Sequence, residues 1–291
     1  MKQIIKYLPF YFISLLPLTL LYGLSDVLTF ILYYIVGYRK KVVRQNLMNS
    51  FPDKTLKEII LIEKQFYRYL GRIIVETIKL LTISKNELRK RCKYSENFHQ
   101  IFNHYNNEKK NIMVLMGHLG NWEWAGASFN LYFPHHLFVL YHPLSNKYFD
   151  ELMKIIRTRL GTQLIPMHTS YKHILNQHHH PPAVFTFIAD QCPSPQNAFW
   201  MKFLNQDTPV YYAPELIAKK LYLPVVFVWM KQIKKGNYLI DATEITINNE
   251  NQYPTQHIIM EKFMELLEEK IKEQPYIWLW SHKRWKHKKT F

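Results

Sequence analysis

Cysteine is scarce in this chain: Cys92 and Cys192 are the two among 291 residues. Neither has metal-ligand spacing, which argues against a disulfide framework and against a zinc site. Acidic residues are also few, 22 Asp and Glu against 38 Lys and Arg, a formal charge of +16 at pH 7. Such an excess calls for an anionic partner: nucleic acid, an anionic membrane, or acidic substrates and carrier proteins. Charge is thinnest from Leu8 to Gly37, where Asp26 stands alone. That run exceeds the ~20 residues needed to cross a bilayer. It is too long, and lacks the small-residue cleavage site, for a cleaved signal peptide. Lys2 and Lys6 precede it, and the heavier cluster Arg39, Lys40, Lys41 and Arg44 follows, which favours a cytoplasmic body. Pro9 and Pro17 interrupt the run, so a bent or interfacial anchor and a straight span both stay open. No internal repeat is visible.

What is present is apolar bulk. Hydrophobic residues make up 48% and aromatics 15% of the chain, enough for a sizeable core. Short apolar runs at Ile112–Met116, Leu137–Tyr141, Leu164–Ile165, Ala183–Ala189 and Pro224–Met230 read as buried strands, and Tyr238–Ile247 as a half-exposed one. Between them, Leu56–Leu81, Lys147–Leu160, Tyr171–Gln177, a segment from Thr208–Pro209 to Tyr222, and Glu261–Lys272 read as helices. The polar stretch His99–Asn111 reads as a connection. Strands alternating with helices predict an α/β fold, a mixed central sheet flanked by helices, behind an N-terminal hydrophobic membrane-anchoring helix. The expected division is an anchor over residues 1–38 and a catalytic domain over 39–291.

The stretch that organises the chain is IMVLMGHLGNWEWAGA, residues 112–127. Gly117 ends the strand, Asn121 is a candidate N-cap, and the helix starts at Trp122. His118 therefore sits in the turn between a buried strand and a helix, where open α/β sheets place their ligands. On a continuous helix His118 and Glu123 would lie about 140° apart. With Gly120 turning the chain, the Glu123 carboxylate is expected to meet the imidazole, fix its tautomer and leave the other nitrogen free to take a proton. No Ser or Cys lies in the stretch, so the simplest chemistry is a His–Glu dyad activating a hydroxyl of the substrate.

Other candidates cluster after later strands. Arg157 and Arg159 suit bidentate contact with phosphate or with a developing oxyanion; solvated arginines at a helix C-terminus are the alternative. Asp190 and Gln191 follow a buried strand and are poised over the same crevice as His118, where Asp190 could orient a basic group or a substrate hydroxyl, or simply cap a turn. His178–His180 lacks an acidic or thiol partner nearby in sequence and reads as a solvated loop. The aromatic and basic end, Gln274–Lys286, suits a membrane interface, and alone would equally suit RNA.

His118-x4-Glu123 within HLGNWE resembles the signature block of the lysophospholipid acyltransferase superfamily. The variant with Glu resembles the lipid A late acyltransferases, the lauroyl and myristoyl transferases. LLPLTLLYGLSDVL, GYRKKVVRQNLMNSFP, the Arg-x-Arg pair, Ala189-Asp190-Gln191 and the closing Pro-x-x-Tyr-x-Trp-like block match that branch in order, from Leu16 to Lys286. One departure is His142, where the branch usually has Arg; a permanent cation becomes one whose charge depends on pH. The resemblance implies catalytic His118 and Glu123, and substrate contacts from Asn121, His142, Asn146, Arg157, Arg159, Asp190 and Gln191. It implies no cofactor and no metal. The donor would be a thioester of acyl-carrier protein or CoA, the acceptor a hydroxyl of a lipid A precursor, and the place the cytoplasmic face of the inner membrane. A related acyltransferase acting on another glycolipid, an aminolipid or a lysophospholipid would keep the same dyad. A membrane-associated nucleic-acid-binding protein would explain the charge but neither the His118–Glu123 turn nor the anchor, so nucleic acid is not expected as a partner.

Overall fold

The computed structural model describes residues 5–178, 182–246 and 256–289. Its centre is the strand β2 (Ile112–Met116), buried at all five residues. β2 runs parallel to β5 (Ala183–Ile188) on one side and to β8 (Val225–Lys234) on the other. A strand covered on both faces and both edges has no use for polar alternation, which is why its sequence is an unbroken apolar run. β3 (His136–Tyr141) and β4 (Gln163–Pro166) extend the parallel part beyond β5. β9 (Asn237–Glu244) returns antiparallel to β8, and β1 (Cys92–Tyr94) pairs parallel to β9. The seven-stranded order is β1-β9-β8-β2-β5-β3-β4. The expected mixed sheet flanked by helices is the fold observed.

Ahead of the sheet stand α1 (Leu8–Leu15), α2 (Leu18–Phe30, continued by a π-helical turn Ile31–Ile35), α3 (Lys40–Ser50) and the long α4 (Leu56–Lys79). Thr55 and Glu58 form a capping box at the start of α4, satisfying the first free N–H groups there. The Glu76 carboxylate of α4 is fully buried and accepts from Tyr22 of α2, from Asn121 beside the site and from Tyr238 of β9. Burial raises its pKa, while the three donors stabilise the charged form. One carboxylate thus ties the N-terminal helices to the sheet and to the turn after β2.

Two elements differ from the reading of the sequence. Most of His99–Asn111 is helical, in α6 (Glu96–Asn107), which follows the short α5 (Lys85–Arg91); Ser95 caps α6 and Phe98 and Phe102 are buried. Its apolar residues stand at 98, 101, 102 and 105, a helical stripe hidden in a polar composition. Thr208 and Pro209 open no helix: they belong to β7 (Gln206–Tyr211), paired antiparallel with β6 (Ala198–Phe203) in a two-stranded ribbon. The helix that follows, α10 (Ala213–Leu221), starts only after Tyr212. Pro209 fits this ribbon because an edge position does not need its missing N–H. The remaining helices are α7 (Trp122–Phe129), α8 (Lys147–Thr158), α9 (Ser170–His178) and α11 (Ile258–Glu273). His179, His180 and Ile247 lie outside the described residues.

Candidate active site

His118 lies in the tight turn between β2 and α7. Gly120 has φ +78°, and a Cβ there would come within 2.7 Å of Met230, so both the backbone conformation and the space require glycine. Asn121 caps α7, its side chain accepting from Trp124 N at 3.0 Å.

The carboxylate that grips His118 is Asp190. Its Oδ1 lies 2.6 Å from the ring Nδ1, and its Oδ2 accepts the backbone N–H of His118 at 2.8 Å. The parallel register Met116↔Ile188 brings the two residues together at the carboxyl ends of adjacent strands. Trp278 Nε1 donates to the same Oδ2 at 2.8 Å. Burial would raise the Asp190 pKa, but the charge of His118, its two hydrogen bonds and Trp278 together hold it at about 2. An ionised carboxylate can only accept, so it fixes the proton of the neutral ring on Nδ1 and leaves the Nε2 lone pair outward. Gln191 stands over Nε2 at 3.3 Å, and Trp122 packs edge-on to the ring at 4.9 Å between centroids.

A strap from the C-terminal region closes the site from behind. Leu119 bridges to Trp278, Gly120 N donates to the Ile277 carbonyl, and Leu279 N donates to the His118 carbonyl. Asn46 of α3 holds the strap by donating to the carbonyls of Trp280 and His282, and Arg39 donates to that of Ser281. His282 Nε2 accepts from Cys192 N, which fixes the turn after Asp190. Burial lowers the His282 pKa to about 4, so the ring is neutral and able to accept. Asn46, within the block GYRKKVVRQNLMNSFP, thus ties α3 to the strap. Trp278, 160 residues from His118, was visible only as part of a terminal motif.

Glu123 does not meet the imidazole as expected. As the second residue of α7 it turns toward α8, where Arg157 clasps it bidentately at 2.9 and 2.5 Å. Trp122 Nε1 adds a bond to Glu123 Oε1 at 3.2 Å. Arg157 is largely buried, which would lower its pKa, but Glu123 outweighs this and raises it. The local spacing of His118 and Glu123 thus places both on one cleft, with an ion pair beside the His–Asp pair.

The other expected contacts divide. His142, Arg157 and Gln191 line the cleft with His118 and Glu123. Asn121 is a correction: its side chain is fully buried, with the oxygen used as a cap and the amide nitrogen donating to Glu76. Asn146 caps α8 and does not line the cleft. Arg159 points away, donating to the Ile83 carbonyl at 2.5 Å. No cluster of His, Cys, Asp and Glu able to hold a metal ion occurs among the described residues.

The cleft has a volume of about 230 Å³ and is open at one side. A model of the bacterial lipid A biosynthesis acyltransferase family matches residues 7–287. The chain belongs to this family. No curated protein matches it.

In this acyltransferase a second, apolar cavity of about 50 Å³ lies beneath the cleft, between α7 and the sheet. The two share Trp122, Gly126, Val139 and Ile188 as a common wall. Phe98, Phe102 and Phe129 line the cavity, and the first two rings stack at 4.1 Å. The helix α6, missed in the sequence, therefore supplies part of this cavity.

Proposed function

We propose that the chain transfers a fatty acyl group from an acyl thioester, of acyl-carrier protein or CoA, to a hydroxyl of a lipid A precursor at the cytoplasmic face of the inner membrane. The observation that carries this reading is His118: Asp190 fixes its tautomer while Nε2 opens on a cleft that adjoins an apolar cavity.

The acceptor hydroxyl displaces Gln191 from Nε2 and gives up its proton as its oxygen attacks the thioester carbonyl. The proton stays on an imidazolium that the Asp190 carboxylate stabilises. The collapse of the tetrahedral intermediate breaks the C–S bond and releases the thiol, protonated by His118. Arg157, held rigid by Glu123, presents its remaining N–H groups to the cleft, where they stabilise the developing oxyanion. Glu123 thereby acts through Arg157 rather than through the imidazole. The fatty chain runs from the cleft toward the apolar cavity, and each methylene it buries contributes about 0.8 kcal/mol. An acidic carrier protein would suit the charge of +16.

The test is mass spectrometry of membrane lipids from cells with the gene, without it, and with His118→Ala. Loss of one ester-linked acyl chain from lipid A in both altered strains is the expected result, and the mass difference gives the chain length. Unchanged lipid A with loss from another lipid would keep the chemistry and overturn the acceptor. No change in any lipid would overturn the acyltransferase mechanism.

A further inference from the structure

The segment Leu18–Ile35 is long and apolar enough to cross a membrane. Its contacts point elsewhere. Along α2, Tyr22 donates to Glu76, the Thr29 hydroxyl (whose proton goes to the Ser25 carbonyl at 2.7 Å) lies 3.3 Å from the Tyr67 carbonyl, and Tyr33 donates to Glu63. These partners descend α4 as α2 ascends, so the two helices lie antiparallel over about 17 Å. Glu63 and Glu76 are both fully buried under this contact. α1 is fastened as well: Lys79 donates to the carbonyls of Ser14 and Leu16 at its C-terminal end, and Tyr7 donates to the Tyr148 carbonyl at its start. Both helices are thus bound lengthwise to the catalytic body. A helix standing across the bilayer would have to leave these partners, exposing two buried carboxylates.

The outer face of the same helices is apolar and open. Phe12, Leu20, Val27 and Ile35 are each more than half exposed. Asp26 is exposed too, but lies roughly 120° around α2 from the stripe centred on Leu20, Leu24 and Val27. In a transmembrane helix Asp26 would sit at mid-depth; with the helix lying flat it faces the headgroups. Exposed Lys6, Arg39 and Lys41 flank the stripe, which suits an anionic lipid surface. The apolar face continues to the cleft: Phe10 packs on Phe149 of α8, half-exposed Phe149 follows Leu144, and Leu144 lines the cleft mouth.

We infer that residues 5–35 lie in the headgroup layer of one leaflet of an anionic phospholipid bilayer and do not cross it. The N-terminal helices and the catalytic body stand on the same side of the membrane, and the cleft mouth rests on the lipid. That the mouth admits a lipid acceptor sideways from the leaflet rests on the acyltransferase reading; the placement of the helices does not.

The test is side-specific labelling of single introduced thiols in the full chain, with Cys192→Ser to silence the accessible native thiol. Ile5→Cys reports the residues just ahead of α1 and Tyr222→Cys, 94% exposed in the native chain, reports the body. A membrane-impermeant maleimide should label both in inverted inner-membrane vesicles and neither in spheroplasts. Labelling of Ile5→Cys in spheroplasts, with Tyr222→Cys labelled only in inverted vesicles, would overturn the placement. The pattern needs no catalysis, so it stands or falls apart from the acyltransferase reading. In a second measurement, purified protein is sedimented with phosphatidylglycerol vesicles. Leu20→Glu with Val27→Glu should cut the bound fraction at least tenfold with the near-UV circular dichroism unchanged. Unchanged vesicle binding, with light scattering showing that the substitutions split a dimer, would assign the stripe to a second copy and overturn the inference.

Discussion

At the residue scale, the chemistry turns on which carboxylate meets which partner. Asp190 is ionised in the folded protein with a pKa of about 2, against 3.8 for a free side chain. A depressed carboxylate contributes stability that is present above the unfolded value and lost as pH falls through the folded one. Acid unfolding between about pH 4 and pH 2 should therefore show a contribution of roughly 2 kcal/mol that Asp190→Asn removes, measured by denaturant titration at each pH. The same substitution should cut kcat by about 10²–10⁴ with KM little changed, because it releases the tautomer and the imidazolium. Glu123 and Arg157 act as one unit, so Glu123→Gln, Arg157→Gln and the double substitution should fall to similar kcat values instead of adding. Additive losses would separate them. The sequence showed His118 in its turn and Asp190 over the same crevice. It could not show their pairing, because that depends on β2 and β5 lying side by side, a contact across 72 residues. Glu123 looked like the partner because it is close in sequence; the start of α7 at Trp122 rotates it toward Arg157 instead.

At the element scale, the helix α7 does double duty. Its N-terminal turn holds Glu123, and its inner face separates the cleft from the apolar cavity through Gly126. Apart from its own helix backbone and chain neighbours, no atom lies within 4 Å of where a Cβ on Gly126 would be, so a side chain added there starts into open space. Gly126→Leu should leave the fold intact and shorten the preferred acyl chain, with selectivity changing about fourfold per methylene excluded at ~0.8 kcal/mol each. Competition between thioesters of different chain length measures it. The strands of this layer were legible because buried parallel strands are short and unbroken in apolar character. The helix α6 was not, since its stripe of Phe98, Ile101, Phe102 and Tyr105 is diluted by Asn, His and Gln on the other face. The ribbon of β6 and β7 was missed for the opposite reason: Pro209 resembles a helix start in sequence, and only the pairing of Trp200 with Pro209 shows otherwise.

At the scale of the whole molecule, the N-terminal helices are packed lengthwise on α4 of the body. Composition marked residues 8–37 as membrane-facing, and there it stopped, because apolar content alone does not distinguish lying from crossing. Tyr22, Thr29 and Tyr33, which face α4, are the observations on which the inferred placement rests. The strap that closes the site carries a further consequence, for the order in which the protein becomes competent. Synthesis proceeds from the N-terminus, and earlier regions fold first. The apolar N-terminal helices, β2 and the turn bearing His118 leave the ribosome early, yet the His118 carbonyl and the Asp190 carboxylate receive donors from Leu279 and Trp278. On the placement inferred above, a nascent chain settles on the lipid surface well before it can turn over substrate, and the completion of the strap is the moment at which it begins to work.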